Sequence, residues 1–167
     1  VLDAQEAAMS FYKPGFTLKQ ASVAATKVLT QGMIDLGLLQ GELDELIQSE
    51  AYKAFYMHGL GHWLGLDVHD VGEYKLDEKE RVFEPGMVLT VEPGIYVAAD
   101  SQAPEQFKGI GVRIEDNILI THDGHENLTQ SLPKTIEEIE SLFFFSKLFS
   151  VAYLFITLVK ALLKPNK

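Results

Sequence analysis

Along the 167 residues the hydrophobic period changes once, from a helical repeat to β-type segments, and a glycine-laced stretch separates the two regimes. In the first regime Leu18, Ala21, Ala25, Val28, Leu29 and Leu36 recur at helical spacing. Thr17 opens TLKQ, a Thr-x-x-Gln capping box that fixes where that helix starts. Residues 1–12, VLDAQEAAMSFY, are rich in helix formers, and KPG at 13–15 stops them. Gly37 and Gly41 bracket the end of the second helix, and a short acidic helix is expected over 42–50. In the second regime GMVLTVEPGIYV (86–97) and GIGVRIEDNILIT (109–121) are β-branched and bounded by Gly and Pro, which predicts strands. Within the latter, Arg113, Glu115 and Asn117 alternate with Val112, Ile114 and Ile118, so one face is expected to be polar and the other apolar. LPKTIEEIE (132–140) reads as a capped final turn or helix. Helices first and hairpin-like strands later place the chain in the α+β class.

Charge divides the chain unevenly. The net charge is −10, and residues 141–167 hold four lysines and no acid, so residues 1–140 carry 10 − 24 = −14. That balance argues against a nucleic-acid partner. Residues 1–140 and 141–167 are accordingly expected to be different kinds of polypeptide. There is no cysteine, which excludes disulfides and thiolate metal sites and is consistent with a cytoplasmic protein. Residues 141–163, SLFFFSKLFSVAYLFITLVKALL, are almost wholly apolar, and a single helix over 142–163 is expected. Lys147 and Lys160 leave only 12 uncharged residues between them, short of the roughly 20 a spanning helix needs. A membrane anchor, out-of-frame sequence after a truncated gene and a partner-docking helix all stay open for this tail. A membrane would be met only through it.

The stretch between the regimes, HGLGHWLGLDVHD (58–70), holds three of the chain's five histidines. His58 and His62 are four apart, but Gly59, Gly61 and Gly65 make a regular helix costly. A looped or extended backbone in close approach to something else is the better reading. Three loop histidines bonded to backbone, and a metal or catalytic role, both remain open on spacing alone. Glu92 sits in an apolar strand just before Pro93-Gly94, a position unfavourable for a carboxylate unless it is paired or metal-bound. Glu115 shares a strand face with Arg113. His62, Glu92 and Glu115 together make a hard-to-borderline donor set suited to Mn, Co, Fe or Zn.

HGLGHWLGLDVHDVG, LTVEPGIY and GVRIEDN, in this order, resemble the catalytic domain of the aminopeptidase P (Xaa-Pro aminopeptidase) family. That family belongs to the pita-bread metallopeptidases, with prolidase, creatinase and methionine aminopeptidase as cousins. The resemblance covers residues 1 to about 140 and implies a pita-bread fold, here incomplete, with 141–167 as an added hydrophobic, basic tail. It implies that His62, Glu92 and Glu115 hold a centre of two divalent metal ions, Mn²⁺ in most members, with Glu115 bridging the two. It further implies that Glu92 also moves a proton, that His58 and His69 contact substrate, and that Arg113 stands beside the bridging carboxylate. Tyr96 and Asp70 would support these groups. The implied activity is hydrolysis of the bond between a first residue and a following proline, and the implied partners are peptides with proline second. A homo-oligomer is expected of the full-length protein.

Two departures from the family pattern bear on this expectation. Members supply two aspartate ligands from a segment before the point matching Val1, so the chain is expected to be part of a longer protein and the second ion is in question. The tail has no counterpart in members that end near TIEEIE. The competing readings are an inactive pita-bread piece serving as a peptide- or protein-binding module, and a prolidase-like dipeptidase.

Overall fold

Three α-helices and a set of antiparallel ribbons make up the first part of the chain. The structure is a computed structural model that describes residues 1–143. The tail expected to be helical over 142–163 thus lies beyond the described residues from 144 onward. Among the described residues no helix is long and apolar enough to cross a membrane. Residues 1–130 form one unit and residues from 131 onward a second.

Helix α1 spans Leu2–Met9 and α2 spans Leu18–Asp35. The capping box is made in full: the Thr17 side chain accepts from the Gln20 N–H at 3.2 Å while the Gln20 side chain accepts from the Thr17 N–H at 3.0 Å. Helix α1 ends earlier than its composition suggests. Phe11 and Tyr12 donate to the carbonyls three residues back, a tightened turn, because Pro14 disfavours helical backbone at residue 13. Phe11 then packs edge-on against Phe16 and Tyr12 against Phe83. The facing sides of the helices are small. Ala4 and Ala8 of α1, and Ala21 and Ala25 of α2, are wholly buried, with Leu29 and Met33 continuing the α2 stripe. A short helix α3, Leu43–Gln48, and a 3-10 turn at Ala51–Ala54 lead to the histidine stretch.

The strands are β1 (Lys75–Leu76), β2 (Lys79–Glu80), β3 (Val88–Val91), β4 (Gly94–Tyr96), β5 (Gly111–Arg113), β6 (Asp116–Ile120) and β7 (His125–Asn127). Strand β6 is central between β3 and β7, all antiparallel, and β4 pairs with β5. Each of the two segments expected to be one strand is therefore two, broken at Glu92-Pro93 and at Ile114-Glu115. Proline has no N–H to give the ladder, which explains the first break. The register nevertheless runs on across the break: Val91 faces Asp116 on one side of it and Gly94 faces Arg113 on the other. Glu92 therefore falls opposite Glu115.

Period-2 alternation then sorts the faces. Leu89, Val91, Ile118 and Ile120 are buried, each contributing about 1.5–3 kcal/mol by leaving water. The expected apolar face differs at its ends. Val112 is exposed, since β5 lies beyond the break, and Asp116 takes a buried place on the apolar side. The Thr129 hydroxyl donates to the Asp116 carboxylate at 2.6 Å, which offsets the cost of burying it.

The second unit, by itself, has helical backbone over 136–143. Its start is a second capping box: Glu138 Oε2 accepts from the N–H groups of Lys134 and Thr135, and the Thr135 hydroxyl accepts from the Glu138 N–H.

Candidate metal centre

Residues 60–64 of the histidine stretch run antiparallel along the free edge of β3, bridged at Trp63 and Leu89. The Leu64 N–H donates to the Val88 carbonyl, the Thr90 N–H to the His62 carbonyl at 2.9 Å, and the Glu92 N–H to the Leu60 carbonyl at 2.7 Å. Glycine at 61 is what permits so close an approach. A Cβ there would lie 2.0 Å from the Thr90 carbonyl oxygen. Gly65 meets a similar limit, because a Cβ would clash with Asp70 Oδ2. Asp70 itself ties the following loop, accepting from the Leu66 and Val71 N–H groups.

This edge pairing sets His62, Thr90 and Glu92 on one face, and the hairpin register adds Glu115 and Arg113 to it. One donor atom from each of His62, Glu92 and Glu115 lies within 4.8 Å of the others. Nε2 of His62 is 3.1 Å from Glu92 Oε1. The His62 Nδ1 is 2.9 Å from the Trp63 carbonyl, a partner that requires the proton on Nδ1, so that Nε2 is the nitrogen facing the carboxylates and free to ligate. Arg113 Nε stands 3.8 Å from Glu92 Oε2 and 3.9 Å from Glu115 Oε2. The Glu92 side chain is 11% exposed and that of Glu115 38%, so the pair spans the boundary between core and solvent.

Like charges directly opposite across a ribbon destabilise it unless something cationic sits between them. One half-exposed guanidinium near 4 Å from both is a weak counter-charge. The donor set fits a hard-to-borderline divalent cation. Donors each about 2.0–2.3 Å from one ion stand at most about 4.5 Å apart, so the observed spacing needs only a small contraction.

The other expected residues fall around this face. His58, His62, His69, Glu92 and Arg113, with Gly59 and Gly61, line an open groove of about 380 Å³. The His69 ring packs edge-on to His62, centroids 4.3 Å apart. His58 is held by Tyr96, whose hydroxyl is 2.9 Å from Nε2, and by the Tyr56 ring at 5.0 Å. Burial, and then the charges of Glu92 and Tyr52, push the Tyr56 phenol above its usual range, so it stays neutral.

Three residues matter here that sequence reasoning did not single out. Gln5 of α1 is wholly buried, and its amide donates at 3.2 Å to both the Val91 and Ile114 carbonyls. Those residues immediately precede Glu92 and Glu115, so one side chain spans the two ribbons where the carboxylates leave them. Tyr12 donates its hydroxyl to the Thr90 carbonyl at 2.8 Å, and burial is the main cause that raises its phenol far above the ordinary value. Thr90 bonds to both His62 and Glu92. The only hint in the sequence was Gln5 on the apolar side of a helix.

Residues 1–122 match the model of metallopeptidase family M24. The chain is 57% identical over 142 residues to the Xaa-Pro aminopeptidase of Haemophilus influenzae, covering 85% of this chain and 33% of that protein. Its fold matches that of Pseudomonas aeruginosa aminopeptidase PepP with a TM-score of 0.86 and 53% identity, covering 88% of this chain and 34% of the other. It also matches zinc-substituted Escherichia coli aminopeptidase P in complex with product, with a TM-score of 0.81 and 51% identity over 85% and 32% of the two chains. The chain thus spans about a third of the length of the relatives it matches. The α+β pita-bread expectation is borne out by this likeness.

Proposed function

The chain belongs to metallopeptidase family M24, and from that premise we propose that it carries part of the catalytic site of an Xaa-Pro aminopeptidase. What supports this most is the cross-strand pair of Glu92 and Glu115 with the His62 imidazole among them, all within 4.8 Å. His62, Glu92 and Glu115 would hold divalent metal, which we assign as Mn²⁺ in a two-ion centre. When bound, the ions would acidify water and polarise the carbonyl of the scissile bond.

The side chains supply the rest. Glu92 Oε1 is engaged by the Thr90 hydroxyl, which leaves Oε2, on the Arg113 side, as the oxygen that takes up and returns a proton. Arg113 balances the two carboxylates from the exposed side and keeps Glu115 turned toward Glu92. His58 and His69 stand along the groove as hydrogen-bonding groups for the peptide, with His58 oriented by Tyr96. The substrate in this reading is a peptide with proline in second place, as in the names of the relatives. The residues 1–167 by themselves offer a three-donor group among those described, so this polypeptide alone should bind metal weakly and turn over little.

The test is hydrolysis of an X-Pro tripeptide by the longer protein expected to carry these residues, with Mn²⁺, with chelator, and as Glu115→Ala. Activity that needs Mn²⁺ and vanishes in Glu115→Ala supports the reading. Activity that survives chelation, or that prefers peptides without proline, defeats it. Replacing His69 by Ala should lower turnover more than metal content, and equal losses would move His69 into the ligand set.

A further inference from the structure

The ligands His62 and Glu92 come from different strands, and something must hold them in one geometry before any ion arrives. We propose that Thr90 is a positioning residue of the metal centre, its one hydroxyl fixing the main chain at His62 and the carboxylate of Glu92 together. The inference rests on reading this site as a metal centre.

An antiparallel pair of this kind ordinarily exchanges two backbone bonds. Between His62 and Thr90 one of them is made, from the Thr90 N–H to the His62 carbonyl at 2.9 Å. In place of the other, the His62 N–H donates to the Thr90 hydroxyl oxygen at 3.0 Å. The Thr90 carbonyl instead accepts the Tyr12 hydroxyl at 2.8 Å. The side chain has thus entered the ladder. Its single hydrogen goes to Glu92 Oε1 at 3.0 Å.

Three features make this bridge stiff. Thr90 is 1% exposed, so water does not compete for its hydroxyl. A β-branched side chain has few χ1 choices. The flanking Gly61 has no room for a Cβ against the Thr90 carbonyl, so strand 60–64 cannot slide away without losing its fit. Thr90 touches neither substrate nor reacting atoms and acts through its two neighbours. The hydroxyl aims Oε1 of Glu92 at the same spot that Nε2 of His62 faces, where the two are 3.1 Å apart.

The experiment is a calorimetric titration of the protein with Mn²⁺, paralleled by the visible absorption bands of Co²⁺, for the unaltered protein, Thr90→Ser, Thr90→Val and Glu115→Ala. Thr90→Ser keeps the hydroxyl and should keep affinity within about threefold, while Thr90→Val should lose roughly 10–100-fold and shift the Co²⁺ bands. Thr90→Val that is folded and binds both ions as the unaltered protein does overturns the inference and leaves the metal centre standing. An unaltered protein that takes up no metal, or no more than Glu115→Ala does, overturns both. Should Thr90→Val fail to fold, amide exchange in the unaltered protein decides instead. Zn²⁺ should slow exchange of the His62 N–H at least tenfold and leave the Leu64 N–H, bonded to Val88 in the same strand, unchanged. Equal slowing of the two amides overturns the proposal.

Discussion

At the scale of single residues, the site depends on a missing methyl group as much as on its ligands. Gly61 allows the histidine strand to reach the edge of β3, since a Cβ would stand 2.0 Å from the Thr90 carbonyl oxygen, a backbone atom that cannot swing aside. Gly61→Ala should therefore destabilise the fold by about 1–3 kcal/mol, the usual range for forced overpacking, or more if the strand detaches. A shift in the urea midpoint reads this directly. The same variant should bind Mn²⁺ less well, because His62 is the next residue. An unaltered midpoint would mean that strand 60–64 does not lie this close to β3. The three histidines were conspicuous in the sequence, but their different placements were not. Only packing could show that His62 faces the carboxylates, that His58 is held by Tyr96, and that His69 lies against His62 at the exposed mouth.

At the scale of elements, the helices were legible because capping and hydrophobic spacing are local properties of the chain. Thr17 with Gln20 is an example written in four residues. The β1–β2 hairpin was not foreseen. Its turn has Asp77 at φ 49° and Glu78 at φ 62°, a conformation that usually selects Asn-Gly, so no ordinary turn signal announced it. Glu78→Gly should stabilise the protein by several tenths of a kcal/mol, since relief of left-handed strain outweighs the added freedom of the unfolded chain. A thermal midpoint that falls in this variant would refute the turn geometry. The capping box of the second unit makes a separate prediction about pH. Backbone N–H bonds from Lys134 and Thr135 hold the Glu138 carboxyl below its ordinary value. Its stabilisation is therefore present above the unfolded value, about 4.3, and is lost as pH falls through the lower folded one. The Thr135 amide resonance should titrate with a midpoint below about 4.3 and become insensitive in Glu138→Gln. A midpoint at or above the ordinary carboxylate value would mean that the cap is not formed in solution.

At the scale of the whole molecule, the two glutamates meet at the point where both ribbons break, and the metal would be the cation that relieves them. Binding to the folded state alone at a hundredfold excess over Kd adds about 2.7 kcal/mol of stability. For a chain of this size that should raise Tm by several degrees, at about 2–4 °C per kcal/mol. Mn²⁺ should produce the rise in differential scanning calorimetry, a chelator should reverse it, and Glu115→Ala should lack it. An equal rise in Glu115→Ala would place the ion elsewhere.

The sequence by itself determined the class of fold, the start of α2, the strand-forming segments and the family, because caps, periodicity and short motifs are encoded within a few adjacent residues. It also marked Glu92 as anomalous, since a carboxylate in an apolar run needs a partner wherever it folds. Only the tertiary structure decided that VLTVEPGIY and GVRIEDNILI each break in two, and that their register carries through the breaks to set Glu92 against Glu115. It alone brought Gln5 from 86 and 109 residues away to span the two carbonyls beside them. Register and such clamps depend on how edges and buried polar groups are satisfied across the whole fold, and no local pattern of residues records that.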